Sequence, residues 1–312
     1  MKFFRVVIVV LCVCVYISGC NESENKTNTI FLASWNVQNL FNAADDGNEY
    51  DEYSSSGGWK EKYYKMRLEN AAEVLSYPSL SQVDILVLNE VENESVLEDL
   101  MLTGRLKKSG FYFYAMAGEE GGAIKTAVVS KIPISHAYVH SVIGARPVLQ
   151  VDFDNTVIGK LSVFAVHAKS NIDGDEENVQ KRISLGAVIT DLYRRIKEDD
   201  EERTVIVMGD FNENPEDAHV LSDFSCWDLS WDHCEPETVN NGSYNYRGEW
   251  YRYDNIAVSS PVITGAGVVS DGILITSGGL PNAFNRRLLN GVSDHLPVWA
   301  KLENNNIFLI SH

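Results

Sequence analysis

Eight short apolar runs recur along the chain and leave few folds open to it: TIFLASWNV, DILVLNEV, TAVVSKIPI, RPVLQVDF, KLSVFAVHA, RTVIVMGDF, YDNIAVS and LPVWAKL. Several are apolar almost throughout, the pattern of strands covered on both faces, whereas a strand with one wet face alternates. Helical segments lie between them. WKEKYYKMRLENAAEVLSY is one. In EENVQKRISLGAVITDLYRRIKEDD, Leu185, Val188, Ile189, Leu192 and Ile196 share one face, with Glu176 and Glu177 at the start and Arg194, Arg195 and Lys197 near the end, as the helix dipole favours. No glycine-rich dinucleotide fingerprint follows any strand. The pattern predicts a four-layer α/β sandwich, two central mixed sheets flanked by helices, and no repeat or linker divides it.

The first residues stand outside that pattern. MKFFRVVIVVLCVCVYISGC places Lys2 and Arg5 before an apolar stretch from Val6 to Tyr16, then small residues up to Cys20. The stretch is short for a membrane span and has the layout of a secretory signal. Its ending resembles a bacterial lipobox, so residues 1–20 are expected to be a lipoprotein signal, with Cys20 acylated as a membrane anchor. Residues 21–29 then form a flexible tether and 30–303 the folded domain, facing the periplasm or the exterior of a bacterial envelope as a monomer. Of five cysteines, only Cys226 and Cys234 would remain free to react, and an oxidising compartment favours their pairing as a disulfide.

Chemistry-bearing residues sit where the apolar runs stop. Asn36 follows FLASW, Glu90 follows DILVLN, His167 follows SVFAV, and Asp210 and Asn212 lie in GDFN. Asp254 precedes NIAVS, and Asp294 with His295 precedes LPVWA. Each alone suits a turn or a satisfied core position. Together they point to one crevice, since strand ends on one side of a sheet share it. The chain carries 44 acidic against 26 basic residues, a formal charge of -18, which excludes a broad basic face for polyanions. Phosphate chemistry would therefore need a local cation. A hard metal such as Mg²⁺ (or Mn²⁺ or Ca²⁺) needs only one or two carboxylates, and Glu90 is the best placed. Asp210 would take a proton from water, Asn36 and Asn212 would donate to phosphate oxygens, and Asp254 would orient a histidine that exchanges protons near neutral pH.

SWNVQNLF, VLNEVEN, VHAKS, GDFNENP, YRYDNIAVS and SDHLPV, in that order, resemble the successive motifs of the endonuclease/exonuclease/phosphatase superfamily, the deoxyribonuclease-I-like fold, across Ile30 to Leu302. The resemblance implies a divalent-metal phosphodiesterase or phosphatase. It assigns Glu90 to the metal and Asp294 to its shell, Asp210 to the water, and Asn36 and Asn212 to the phosphate. It sets His167 and His295 at that phosphate, with Asp254 behind His295. Gln38 stands where the abasic-site-repair branch has an acid, which turns the reading away from abasic-site repair. Lys169 is a further phosphate contact, and Lys125 and Arg146 invite the same role. The acidic, Gly/Ser-rich stretch Asn42 to Trp59 reads as a solvated loop. The expected activity is an exported endonuclease-like phosphodiesterase acting on nucleic acid. Phospholipid or small phosphate esters are the alternative substrates, and a non-catalytic binding lipoprotein is disfavoured because every strand-end residue is present.

Overall fold

The computed structural model describes residues 9–10, 28–170, 176–221, 226–235, 242–260 and 262–303. Of residues 1–20, expected as a signal, only Val9 and Val10 are described; Cys20 and nearly all of the expected tether lie outside the described residues. Strands are β1 (Val9–Val10), β2 (Thr29–Leu40), β3 (Ile85–Val91), β4 (Phe113–Gly118), β5 (Lys125–Ser130), β6 (His136–Val142), β7 (Ala145–Thr156) and β8 (Gly159–His167). They continue with β9 (Thr204–Asp210), β10 (Asp228–Leu229), β11 (Tyr244–Tyr246), β12 (Glu249–Tyr251), β13 (Asp254–Val258), β14 (Ile263–Val268) and β15 (Val298–Glu303). The helices are α1 (Glu61–Val74), α2 (Pro78–Ser81), α3 (Glu94–Leu102) and α4 (Glu176–Asp199).

One sheet runs β1-β4-β5-β3-β2-β15-β14 and the other β10-β13-β9-β8-β7-β6, while β11 and β12 form a hairpin apart. Both sheets are mixed. In the first, β2 and β3 are parallel; in the second, β8 and β9 are parallel. Leu32, Val87, Leu149, Val163, Ile206 and Ile256 meet between the sheets, fully buried. Trp35, Leu86 and Leu88 point the other way, onto Leu68, Ala72, Leu97 and Leu100 of α1 and α3. Phe164, Val205 and Val207 pack on Leu185 and Ile189 of α4. This is the helix-sheet-sheet-helix order the apolar runs predict, and it explains their near-continuous apolarity: successive side chains enter different but equally dry layers.

The parallel pairs decide where the chemistry falls. Parallel strands end on the same side, so β2 and β3 bring Asn36 and Asn89 level, and β8 and β9 bring His167 and Asp210 level. Strand β13 runs antiparallel to β9, so its first residue, Asp254, pairs with the last, Asp210. Cys226 and Cys234 do not form the expected disulfide. Both thiols are free, and that of Cys234 donates to the Ser230 carbonyl at 3.3 Å across a short helical turn. Asn42 to Trp59 is largely exposed, as expected of a loop, but aromatic stacking ties it down: Tyr53 lies on Phe41 at 4.6 Å and edge-on to Trp59 at 4.8 Å.

Candidate active site

The backbone bends sharply where β2 and β3 end. Gln38, Asn39 and Glu90 hold φ of 52°, 51° and 67°, the left-handed region that costs residues with a Cβ energy, and both pairings of β3 slip register there. The bend has a use. It points the Asn36 amide at two carboxylates, with Nδ2 donating to Glu90 Oε1 at 2.9 Å and to Asp210 Oδ2 at 3.0 Å. It also turns the Asn39 amide onto Glu90 Oε2 at 2.8 Å. Asn212, at φ 50°, donates its own amide to Asp210 Oδ1 at 2.9 Å, and the Asp210 amide donates to Asn89 Oδ1 at 3.0 Å. Asn89 also donates to the Val166 carbonyl at 3.0 Å, so one buried side chain clasps the two sheets at the site.

The two histidines face this carboxylate pair. His167 Nε2 stands 3.7 Å from both Glu90 Oε1 and Asp210 Oδ2. His295 Nε2 is 3.9 Å from Asp210 Oδ2, and its Nδ1 meets Asp254 Oδ2 at 2.7 Å. Strand β15 begins only at Val298, after Pro297, so other contacts hold Asp294 and His295 in place. Trp35 Nε1 donates to the His295 carbonyl at 3.0 Å, the His295 amide donates to Ser293 Oγ at 3.0 Å, and Ser293 Oγ donates to the Asn36 carbonyl at 2.7 Å. The Tyr244 ring stacks on the imidazole at 4.6 Å. Ser243 Oγ accepts the Asp254 amide at 3.0 Å.

Burial disfavours charge on both histidines, and their neighbours make them opposites. Burial, then the charges of Arg146, His295 and Lys169, push His167 well below the ordinary imidazole range, so it is neutral at pH 7. Burial also opposes charge on His295, but the carboxylates of Asp254, Asp210 and Asp294 outweigh it and hold this imidazole well above its usual range. Burial raises Asp210 to about 7, assisted by the Asp254 charge and opposed by His295. A site with one neutral and one cationic imidazole, and an acid poised near neutrality, has its proton roles already assigned.

A divalent metal fits one corner of this site. Burial raises Glu90 and the nearby Asp294 charge raises it further, a cost that a hard cation held by oxygen ligands would relieve. Asp210, Asp254 and His295 also offer donor atoms within 4.8 Å of one another. Within this trio His295 Nδ1 meets Asp254 Oδ2 at 2.7 Å, which fixes the imidazole against one acid and leaves Nε2 towards the other. Glu90 and Asp294 form the oxygen-only pair.

The structure brings together Asn36, Glu90, His167, Asp210, Asn212, Asp254 and His295. The Asn36 and Asn212 amides, expected at a phosphate, are committed here to carboxylates and to the Ala168 carbonyl at 3.2 Å, so both residues orient the site's acids and its wall. Lys169 is exposed at the rim, close enough for its charge to act on His167. Arg146 donates to the Ala168 carbonyl at 3.2 Å and lies beside the Tyr50 hydroxyl. Lys125 is directed elsewhere, onto the Glu92 carbonyl at 2.5 Å. Sequence reasoning passed over Asn89, Ser243, Ser293 and the buried Arg67, which donates to the carbonyls of Val37 and Gln38. An Asn inside the apolar LVLNEV was the one available signal; the serines carried none.

A profile of the Endonuclease/Exonuclease/phosphatase family matches residues 31–271. Among curated proteins no sequence matches the chain. Among solved structures, truncated TDP2 from Caenorhabditis elegans superposes with a TM-score of 0.62 at 17% identity, covering 88% of this chain and 98% of that one. TDP2 from D. rerio, complexed with single-strand DNA product, gives 0.55 at 16% identity over 88% and 98%. A mannosyl-6-phosphatase from Bacteroides thetaiotaomicron gives 0.57 at 17% identity over 87% and 98%. At these identities the likeness is one of fold.

Proposed function

Since this chain belongs to the endonuclease/exonuclease/phosphatase family, we propose that its strand-end pocket hydrolyses phosphodiesters of nucleic acid with the help of Mg²⁺. One observation carries the reading: His167 Nε2 lies 3.7 Å from both Glu90 and Asp210, while His295 Nε2 lies 3.9 Å from Asp210, so four groups from four segments address one small volume. Glu90 and Asp294 would hold the metal, which would supply Lewis acidity and offset phosphate charge that a chain of -18 would otherwise repel.

The protein's own groups do the rest. Asp210, near neutral in affinity and fixed by Asn36, Asn212 and Asn89, accepts a proton from the attacking water. Water oxygen bonds to phosphorus as the bond to the leaving oxygen breaks, and that oxygen departs with the bonding pair and takes a proton from solvent. The His295 cation, kept charged by Asp254, stabilises the negative charge that grows on the phosphoryl oxygens. Neutral His167 hydrogen-bonds a phosphate oxygen without adding a charge that would expel the metal. Arg146 and Lys169 give the acidic molecule a local cationic rim.

The D. rerio TDP2 structure, whose fold this chain shares, holds a single-strand DNA product, which favours nucleic acid. The mannosyl-6-phosphatase of nearly equal fold likeness favours a second reading, a sugar-phosphate monoesterase. Purified protein assayed with Mg²⁺ or EDTA on plasmid DNA, a choline phospholipid and mannose 6-phosphate separates them. EDTA-sensitive cleavage of DNA supports the first reading, and turnover of the lipid or the sugar phosphate alone would overturn it. We further place the enzyme at a bacterial envelope, anchored by lipid at Cys20. Release of a Cys20→Ala variant from the membrane fraction is the expected outcome, and its retention there would refute the anchor.

A further inference from the structure

A second cavity opens beside the metal corner, about 210 Å³ in volume, lined by Glu52, Tyr53, Trp59, Phe284 and Arg286. Two segments far apart in sequence build it, and they are stitched together. Arg286 donates to the Gly57 carbonyl at 3.0 Å, and Trp59 meets the Phe284 ring edge-on at 6.1 Å. The cavity is also joined to the catalytic strand ends. The Phe284 amide donates to Gln38 Oε1 at 3.1 Å, and the Asn39 side chain lies against the Tyr53 hydroxyl while its backbone amide holds Glu90. The Glu90 charge also acts on the Tyr53 hydroxyl, so the cavity wall and the metal corner are neighbours.

We infer that the Tyr53–Trp59–Phe284 cavity receives the nucleobase next to the scissile phosphate, with Glu52 and Arg286 reading its polar edge; this rests on the phosphodiesterase reading above. The lining chooses between candidate groups. Three of its five residues are aromatic, and the two polar ones stand at Glu52 and Arg286. A sugar ring could lay its C–H face on those rings, but the hydroxyls around its whole edge would find only Glu52 and Arg286 as side-chain partners, at a cost for each one left unpaired. A flat heteroaromatic ring presents a face that stacks and only a few edge atoms that need partners. The volume, below the roughly 300–1,000 Å³ of pockets that take whole drug-sized molecules, suits a single ring system. The aromatic contacts are indifferent to base identity, so any preference among bases falls to Glu52 and Arg286.

The test compares two esters with the same leaving group, thymidine 5′-(p-nitrophenyl phosphate) and methyl p-nitrophenyl phosphate, in the wild type and in Phe284→Ala and Arg286→Ala. The wild type should prefer the base-bearing ester, and each variant should reduce the ratio of the two kcat/KM values about tenfold, mainly through KM. Thymidine monophosphate binding, followed by tryptophan fluorescence with EDTA present, should weaken in the same variants and provides a readout independent of turnover. If the wild type hydrolyses both esters with equal efficiency and the variants match it, the base subsite is refuted while the phosphodiesterase reading stands. If the wild type hydrolyses neither ester but turns over mannose 6-phosphate, the phosphodiesterase reading fails and the base subsite falls with it. Loss of mannose 6-phosphate turnover in Phe284→Ala, with nucleotide binding intact, would likewise overturn the base assignment.

Discussion

Asp254 Oδ2 and His295 Nδ1 are 2.7 Å apart, with Asp254 fully sealed from solvent and His295 nearly so. A buried pair of this kind adds little net stability, because desolvating both partners consumes the attraction between them. Its effect is on charge: the carboxylate keeps the imidazole protonated where burial would discharge it. Asp254→Asn preserves shape and removes that charge. The His295 cation exists below its raised pKa and is lost above it, so the variant's alkaline limb in kcat/KM against pH should move to lower pH. Activity at pH 8 should fall about 100-fold. A pH–rate profile checks this, and an unmoved alkaline limb would dissociate Asp254 from the control of His295.

Removing the imidazole altogether separates catalysis from folding. His295→Ala keeps the backbone amide that Ser293 accepts and the carbonyl that Trp35 reaches; it gives up the stack on Tyr244 and leaves buried Asp254 without its partner, which lowers stability but not the fold. Turnover should drop by about 10²–10⁴-fold, while the far-ultraviolet circular dichroism spectrum stays that of the wild type. Undiminished turnover would exclude His295 from the reaction.

The central strands were legible because they are dry on both sides. KLSVFAVHA became β8 and RTVIVMGDF became β9 to within a residue or two, and EENVQKRISLGAVITDLYRRIKEDD became α4. Strand β6, HAYVHSV, went unread because only Ala137 and Val142 are buried in it, the mark of an edge strand whose sequence need not be apolar. Helix α3 was missed because it is short. The site was legible as residue types at strand ends, since parallel pairing carries such residues to one side. What escaped was the way they are held. Glu90 reaches the pocket only because its backbone turns left-handed, and an ordinary Glu gives no sign of that.

Glu90 also tests the metal corner without any turnover. Its carboxyl is raised above the ordinary 4.5 by burial and by Asp294, so the metal-free fold gains from protonating it. That gain is complete below pH 4.5 and disappears as pH climbs through the raised folded value. In EDTA the wild type should therefore lose stability over that window, and Glu90→Gln should lose less. Mg²⁺ at about 100 times its Kd should raise the wild-type Tm by roughly 5–10 °C and leave Glu90→Gln close to its metal-free value. Calorimetry in both buffers reads the difference, and an equal Mg²⁺ response in the two proteins would relocate the metal.

Gly209 shows how tightly the frame of the site is built. At φ 144° it lies where β9 runs against β8, and a Cβ there would stand 1.9 Å from the Val166 carbonyl oxygen. That oxygen also accepts from Asn89, which in turn holds the Asp210 amide, so the collision would be passed to the catalytic acid. Gly209→Ala should cost about 3 kcal/mol or more and depress kcat beyond what lost stability explains. Gly159 provides the control: its φ is 106°, but no atom lies within 4 Å of the position its Cβ would take. Gly159→Ala therefore meets backbone strain alone, about 1–2 kcal/mol, and should leave kcat intact. Equal losses of stability in the two variants would show that conformation, rather than the close approach of β8, fixes glycine at 209.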